Sequence, residues 1–368
     1  MGYGLFGNRT LKSAKHRSLE RRNRKPRARR RAFLITLAAA FLPLAVLLAL
    51  LLFPPYAPLP ATGEYPVGSA VFHWSDAGRA ETYGREGGPR TLAVEMWYPQ
   101  GAQARVPLAL FSHGAFGSRG SNESLFRELA SHGYVVCSLD HTYQCLETTG
   151  PEGKKIWMDG GYAREVMRED AKKDKEESLR LYRKWMDIRT GDIRFVLDTI
   201  LSQAEANPGH PALGLVDPQA VALIGHSLGG SAALGVGRSR SGIAGVIALE
   251  APFLCDITAV ERGAFVFEER DYPVPVLCVY SDSAWPHLAQ WPQYAQNARL
   301  LRGEDRNAQH VYLQGTGHLA LTDLALVSPV LTALLDGRRH ALSPEEGLTR
   351  LNEICLSFLD RVVKGKGL

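Results

Sequence analysis

Hydrophobic residues in the C-terminal three hundred residues fall mainly in short unbroken runs rather than in alternation. Leu92–Tyr98, Val106–Ser112, Tyr134–Leu139, Ala220–Ile224, Ile243–Leu249, Val274–Tyr280 and His310–Leu313 are such runs. Unbroken apolar runs of this length suit strands buried on both faces of a mostly parallel sheet. Between them, Glu123–Ser131, Ile193–Gln203, Gly230–Gly237 and Leu348–Val363 carry helical spacing. Strand and helix in alternation predict a doubly wound α/β sheet. Residues 146–190 interrupt the rhythm. There a Gly-rich loop leads into a charged stretch with apolar positions at Met167, Leu179, Tyr182, Trp185 and Met186, which a helix could gather on one side. Two readings stand: a solvated surface helix with one docked face, or a lid over an active site.

The longest apolar run, Phe33 to Phe53, has no charge and one hydroxyl, Thr36. Its 21 residues are long enough to cross a bilayer as a helix. Charge sharpens this reading. The chain's net charge of +5 hides a split. Residues 1–32 hold twelve of the 43 Lys/Arg and one of the 38 acidic residues, which is +11. The remaining 31 basic and 37 acidic residues give −6. A basic tail directly before an apolar run should stay cytoplasmic and send the rest of the chain across. The acidic remainder argues against a nucleic-acid-binding domain. The expected organisation is a basic cytoplasmic tail (1–32), a transmembrane helix (33–53), a Pro-rich linker (54–61) and a catalytic domain (62–368). A cleaved export signal is the alternative, and Arg30-Arg31-Ala32-Phe33-Leu34 resembles a twin-arginine pattern. Both leave the domain outside the cytoplasm.

Candidate chemistry begins at Gly225-His226-Ser227-Leu228-Gly229. A strand precedes it and a small-residue helix follows. Strand–G-x-S-x-G–helix is the nucleophile elbow, which exposes one serine above a sheet edge. Pro107 to Ser112 runs into His113-Gly114-Ala115-Phe116-Gly117. Acyl transfer develops charge on a carbonyl oxygen, and two backbone N–H groups must meet it. Leu228, the residue after the serine, and Ala115, in this loop, are the expected donors. His113 precedes the serine and reads as a structural loop residue. The general base should follow the serine in the chain. Of His287, His310, His318 and His340, only His318 lies on a loop just past the last strand-like run. For the acid two residues stay open: Glu250, ending Ile243–Leu249, and Asp282, just past Val274–Tyr280.

Together Phe111-Ser112-His113-Gly114, Leu129-Ala130-Ser131-His132-Gly133-Tyr134, Asp140-His141 and Ile224-Gly225-His226-Ser227-Leu228-Gly229-Gly230 resemble the platelet-activating factor acetylhydrolase family. Leu59 to Gly68 and Glu95-Met96-Trp97-Tyr98-Pro99 add to the resemblance, which covers most of residues 59–325. It implies an α/β-hydrolase fold and a calcium-independent serine esterase acting on acetyl or short acyl esters of phospholipid-like substrates. It also implies His318 as base, Ala115 and Leu228 as oxyanion donors, and an acid after the strand that follows the elbow. Glu250 holds that last position, where the family's usual residue is Asp. Dienelactone or polyester hydrolases, an amidase or peptidase on the same residues, and a silent binding protein on the same fold are the rival readings.

The five cysteines show no metal-ligand spacing, and no nucleotide-binding motif follows the first strand, so no metal or cofactor is expected. Cys145 and Cys255 each follow a strand, which leaves a disulfide between them open. The expected partners are an ester or lipid substrate and, through residues 33–53, a membrane.

Overall fold

The computed structural model describes residues 33, 39, 41–84 and 87–365. The chain divides into two units, Met1–Tyr56 and Ala57–Leu368. The basic tail 1–32 lies outside the described residues, as do 34–38 and 40 within the expected membrane span. In the first unit a helix, α1, covers residues 41–52. Among the described residues no helix is long and apolar enough to cross a membrane. The expected helix over 33–53 includes those undescribed positions and stays an expectation from the sequence.

The second unit is built on an eight-stranded sheet. In chain order its strands are β1 (Val67–Ala80), β2 (Pro89–Pro99), β3 (Val106–Ser112) and β4 (Val135–Leu139), then β7 (Val216–His226), β8 (Ile243–Leu249), β11 (Val276–Tyr280) and β12 (Ala308–Tyr312). Two small hairpins supply the rest: β5 (Glu147–Thr149) with β6 (Lys155–Trp157), and β9 (Ile257–Glu261) with β10 (Ala264–Phe267). The sheet order is β1-β2-β4-β3-β7-β8-β11-β12. All pairs from β4 to β12 are parallel, while β1–β2 and β2–β4 are antiparallel.

Each central strand feeds two cores because successive side chains point to opposite faces. Leu108 and Leu110 of β3 join one apolar cluster, with Ala109 and Phe111 in the other. β11 divides likewise, Cys278 and Tyr280 against Leu277 and Val279. Helices α4 (Lys175–Ala206) and α5 (Leu228–Ser239) cover the first face. Helix α2 (Glu123–Ser131) and the C-terminal helix Pro344–Val362 cover the second. Double coverage is why these strands read as unbroken apolar runs. Strand β1 is different. It lies at the sheet edge with a largely half-exposed, polar-rich sequence, and no apolar run announces it.

The charged stretch folds as helix α3 (Gly160–Arg168) followed by α4. Asp174 caps α4, its carboxylate accepting from the Glu177 amide at 3.0 Å. α4 runs unbroken for 32 residues, so no boundary falls at residue 190. Its face buries Leu179, Tyr182, Trp185 and Met186, as the spacing implied, whereas Met167 on α3 is 71% exposed. Cys145 and Cys255 are both free thiols, and the disulfide left open between them does not form.

Candidate active site

The turn from β7 into α5 is tight because its glycines meet backbone. A Cβ on Gly229 would overlap the carbonyls of Ser112 and His113, and one on Gly225 would overlap the Gly229 peptide. Between them Ser227 takes φ 53° and ψ −124°, a conformation that costs a non-glycine residue of order 1–3 kcal/mol. Its amide donates to the Leu249 carbonyl at 2.9 Å, which pins the turn to the end of β8. Leu228 begins α5, so its N–H sits at a helix N-terminus.

Glu250 follows β8 at once, also with positive φ (46°), and its side chain is buried. His318 Nδ1 is 2.8 Å from Glu250 Oε1, while the Ser281 amide donates to Oε2 at 2.6 Å. Tyr294 Oη donates to the Glu250 carbonyl at 3.0 Å. Burial alone would lower the His318 pKa, but the hydrogen bond and charge of Glu250 outweigh it and the net shift is upward. Burial likewise pushes Glu250 up, and its bonds to His318 and the Ser281 amide carry it below the ordinary value. Asp282 is engaged elsewhere. Its Oδ1 accepts from Tyr312 Oη at 2.7 Å and from the Gly315 amide at 3.1 Å, and Arg338 lies 3.5 Å from Oδ2. Of the two open candidates, the structure brings Glu250 to His318.

The other histidines after Ser227 do not line the Ser227 cavity. His310 lies within β12, 3.4 Å from Tyr280 Oη, His287 stacks on Trp291, and His340 Nε2 is 2.9 Å from Asp336. One contributor escaped the sequence reading. His226, the variable residue inside the elbow motif, points Nε2 at the His318 carbonyl from 3.0 Å, and the two rings lie 4.6 Å apart. Burial and the neighbouring His318 push its pKa well down, so it is a neutral N–H donor. Only its place beside the serine could have pointed to it.

On the far side of Ser227 the loop after β3 is held peptide by peptide. His113 is buried, its Nδ1 is 2.7 Å from the Gly114 carbonyl, and its Nε2 accepts from the His141 amide at 3.2 Å. A trans peptide points C=O and N–H in opposite directions. Fixing the Gly114 carbonyl therefore aims the Ala115 N–H away from His113. Among the described residues neither the Ala115 nor the Leu228 amide has a protein acceptor. Both residues line one cavity of about 320 Å³ with Ser227, Glu250 and His318. Tyr182 and Trp185 of α4, with Trp291 and Tyr294, form aromatic walls of that cavity. No hydrogen bond joins Ser227 Oγ to His318.

A family model described as platelet-activating factor acetylhydrolase, isoform II, matches residues 91–366, well over half of the chain. The chain belongs to this family. Members similar to it include the platelet-activating factor acetylhydrolases of Canis lupus familiaris and Bos taurus, each 22% identical over 278 residues, 70% of this chain and 57% of theirs. The Gallus gallus protein is 22% identical over 282 residues and is 62% covered. The chain thus spans less than two thirds of the length of these relatives. Among solved structures, a ferulic acid esterase from Streptomyces cinnamoneus matches with a TM-score of 0.63 at 22% identity, over 85% of this chain and 93% of that one. At that identity the match shows a shared fold.

Two further polar groups lie beneath this platelet-activating factor acetylhydrolase family site. Ser112 Oγ is 2.8 Å from His141 Nε2, and His141 Nδ1 is 2.8 Å from Asp192, all fully buried. Asp192 also accepts two bonds from the buried Arg90, at 2.9 and 2.6 Å. Next to it, His113, Asp140 and Cys145 bring ligand-type atoms within 4.8 Å of one another. The His113 and Asp140 atoms are already engaged. Both His113 nitrogens are used, and Asp140 accepts from the Arg119 amide and from Thr148 Oγ1, each at 2.6 Å.

Proposed function

We propose that this chain is a serine carboxylic-ester hydrolase with Ser227 as nucleophile, His318 as general base and Glu250 as the acid that orients it. One observation carries the reading. The strained Ser227 opens into the same cavity as an imidazole whose Nδ1 is held by a buried carboxylate. Glu250 on Nδ1 leaves Nε2 unprotonated and ready to take the Ser227 proton as Oγ attacks the ester carbonyl. The Leu228 and Ala115 amides accept the developing oxyanion, and losing one such donor costs roughly 3–4 kcal/mol of barrier. Protonated His318 then gives its proton to the leaving alcohol, and an acyl-serine remains. Water, deprotonated by His318, attacks that ester, and the serine oxygen leaves with the proton.

The substrate class follows the family: acetyl or short acyl esters of phospholipid-like alcohols. A cavity of about 320 Å³ lies at the lower end of the ~300–1,000 Å³ usual for ligand sites, which favours a short acyl chain. Location is read from the sequence alone. The basic run before residues 33–53 supports a catalytic unit outside the cytoplasm, tethered or exported through its N-terminal segment. The deciding experiment is a chain-length series of p-nitrophenyl esters, with matched amides, on wild type and Ser227→Ala, alongside a fluorophosphonate probe. Labelling at Ser227 with turnover steepest for short acyl esters supports the reading. No labelling and no turnover would favour a silent binding protein, and faster amide cleavage would favour an amidase.

A further inference from the structure

Arg189, on α4, is completely buried, and among the described residues no carboxylate pairs with it. An unpaired buried charge is costly and persists only where its donors are all well used. Here three neutral acceptors from three separate segments take one hydrogen bond from each guanidinium nitrogen. Nε donates to Gln144 Oε1 at 2.7 Å, one terminal nitrogen to the His113 carbonyl at 2.6 Å, and the other to Tyr162 Oη at 3.3 Å. Gln144 lies just past β4, Tyr162 is on α3, and His113 opens the loop that carries Ala115.

The His113 contact is the informative one. The His113 carbonyl belongs to the peptide immediately before the one whose N–H is Ala115's. With the Gly114 carbonyl already bound by the His113 ring, Arg189 fixes the second of two consecutive peptide planes. A planar guanidinium sets three acceptors in a defined fork, which a point-charge ammonium cannot do. One turn earlier on the same helix, Trp185 lines the cavity. Tyr162, the third acceptor, packs edge-on against both Phe116 of the loop and Trp185.

Resting on the serine-esterase reading above, we infer that Arg189 is a positioning residue: it holds the oxyanion loop so that the Ala115 N–H faces the carbonyl oxygen, and it ties that loop to α3 and α4. It touches no reacting atom. Its loss should therefore leave substrate binding in place and impair every step that passes through an oxyanion.

The test compares wild type, Arg189→Gln and Arg189→Lys for melting temperature, kcat and KM on a soluble short-chain ester, and rate of fluorophosphonate labelling. For folded Arg189→Gln, kcat should fall about a hundredfold, the cost of misplacing a catalytic group by roughly 1 Å, with KM within about threefold. Fluorophosphonate labelling should slow by a similar factor, since phosphonylation uses the same donors. Arg189→Lys, which keeps the charge and loses the fork, should recover part of kcat. A kcat within about twofold of wild type, or a loss confined to KM, would overturn the inference. Should Arg189→Gln fail to fold, the pair Gln144→Met with Tyr162→Phe conserves volume and frees two of the three anchors. There kcat must fall several-fold at constant KM, and an unchanged kcat overturns the assignment. Ser227→Ala run in parallel separates the two failures. If it retains turnover, the serine reading is wrong; if it is inert while the Arg189 variants are normal, only the positioning role is.

Discussion

Two serines in this chain each lead a hydroxyl–imidazole–carboxylate series, and the series differ in nearly everything except residue type. Ser112, His141 and Asp192 are closed: both links are 2.8 Å, all three groups are fully buried, and the carboxylate is also gripped by Arg90. Ser227, His318 and Glu250 are open. The imidazole–carboxylate link is again 2.8 Å, but the serine sits in strained backbone, no bond joins it to the ring, and a cavity lies against all three. The protonation chemistry diverges too. Burial and the cationic Arg189 push the His141 pKa down to about 3, whereas Glu250 lifts that of His318 above its ordinary value. Burial without access fixes a neutral ring as a structural pin. Access, and a carboxylate left to the imidazole and one backbone amide, leave a ring able to trade a proton. An open serine–imidazole link is ordinary before substrate binds, because such bonds often tighten only in the substrate complex.

Removing each serine is the harshest test of that contrast. Ser227→Ala should lower kcat by about 10⁵–10⁶-fold at unchanged fold, leaving only binding and oxyanion stabilisation. Steady-state turnover with a circular-dichroism control checks it. Comparable turnover in mutant and wild type would erase the difference between the two series.

The carboxylates come next. Glu250→Gln removes the acceptor that sets the His318 tautomer, and kcat should drop by about 10⁴-fold. Asp282→Asn should be mild for catalysis, since its oxygens serve Tyr312 and the Gly315 amide. The reverse ranking of rates would move the acid's role to Asp282.

Much of the open series was legible in the sequence because each member ends or follows an unbroken apolar run. Ser227 lies between β7 and α5, Glu250 just past β8, and His318 six residues past the end of β12. Parallel strands buried on both faces bring such ends to one edge. Strand-end position alone did not separate Glu250 from Asp282, although the family resemblance favoured Glu250. Both follow strands, and only the direction of the side chains separates them. The closed series was hidden for another reason. Its carboxylate lies in mid-α4, 51 residues from His141, where one Asp among several in a charged helix looks like solvated surface. Strand β1 escaped as an edge strand with a half-exposed, polar-rich face. α4 was divided at residue 190 because its charged first half masks the apolar face that continues into its second.

Within the closed series the expected damage is to stability, not rate. Asp192→Asn strands the buried Arg90 with only Glu81, 2.6 Å away, as a carboxylate partner. Breaking a buried pair in this way should cost about 3–5 kcal/mol of unfolding free energy. Denaturant melts measure it. A loss below about 1 kcal/mol would mean that the relay is not the structural pin its geometry implies.

Acid titration should split the two series as well. For activity, His318 must be neutral, so kcat/KM rises as pH climbs through its raised pKa and is lost below it. In Glu250→Gln the residual activity should titrate at a lower pH, because the bond and charge that raise the value are gone. For stability, His141 stays neutral in the fold down to about pH 3, while the unfolded ring takes up a proton below about pH 6.5. The unfolded state then binds more protons, so stability falls on acidification across that window. Asp192 adds to the loss at lower pH, since its folded pKa is depressed: burial opposes this and the Arg90 ion pair outweighs it. His318 works the other way. Its raised value contributes stability below the unfolded pKa and loses it as pH rises through the folded one. An activity limb that tracked the unfolding curve would merge the two series into one.

Ser112→Ala is the smallest effect expected and the finest test of whether the two series are independent. The mutation removes one hydrogen bond and leaves His141 Nε2 buried without a donor, which together should cost about 1–3 kcal/mol. Backbone geometry should hold, because β3 pairs with β4 and β7 through main-chain bonds that the side chain does not share. The next residue, His113, orients the Ala115 amide through its own ring and through the Arg189 contact, neither of which uses the Ser112 hydroxyl. Turnover should therefore stay within about threefold of wild type while the melting temperature drops by several degrees. A fall in kcat of a hundredfold or more, with the fold intact by near-UV circular dichroism, would show that the closed relay sets the oxyanion loop as well as the fold.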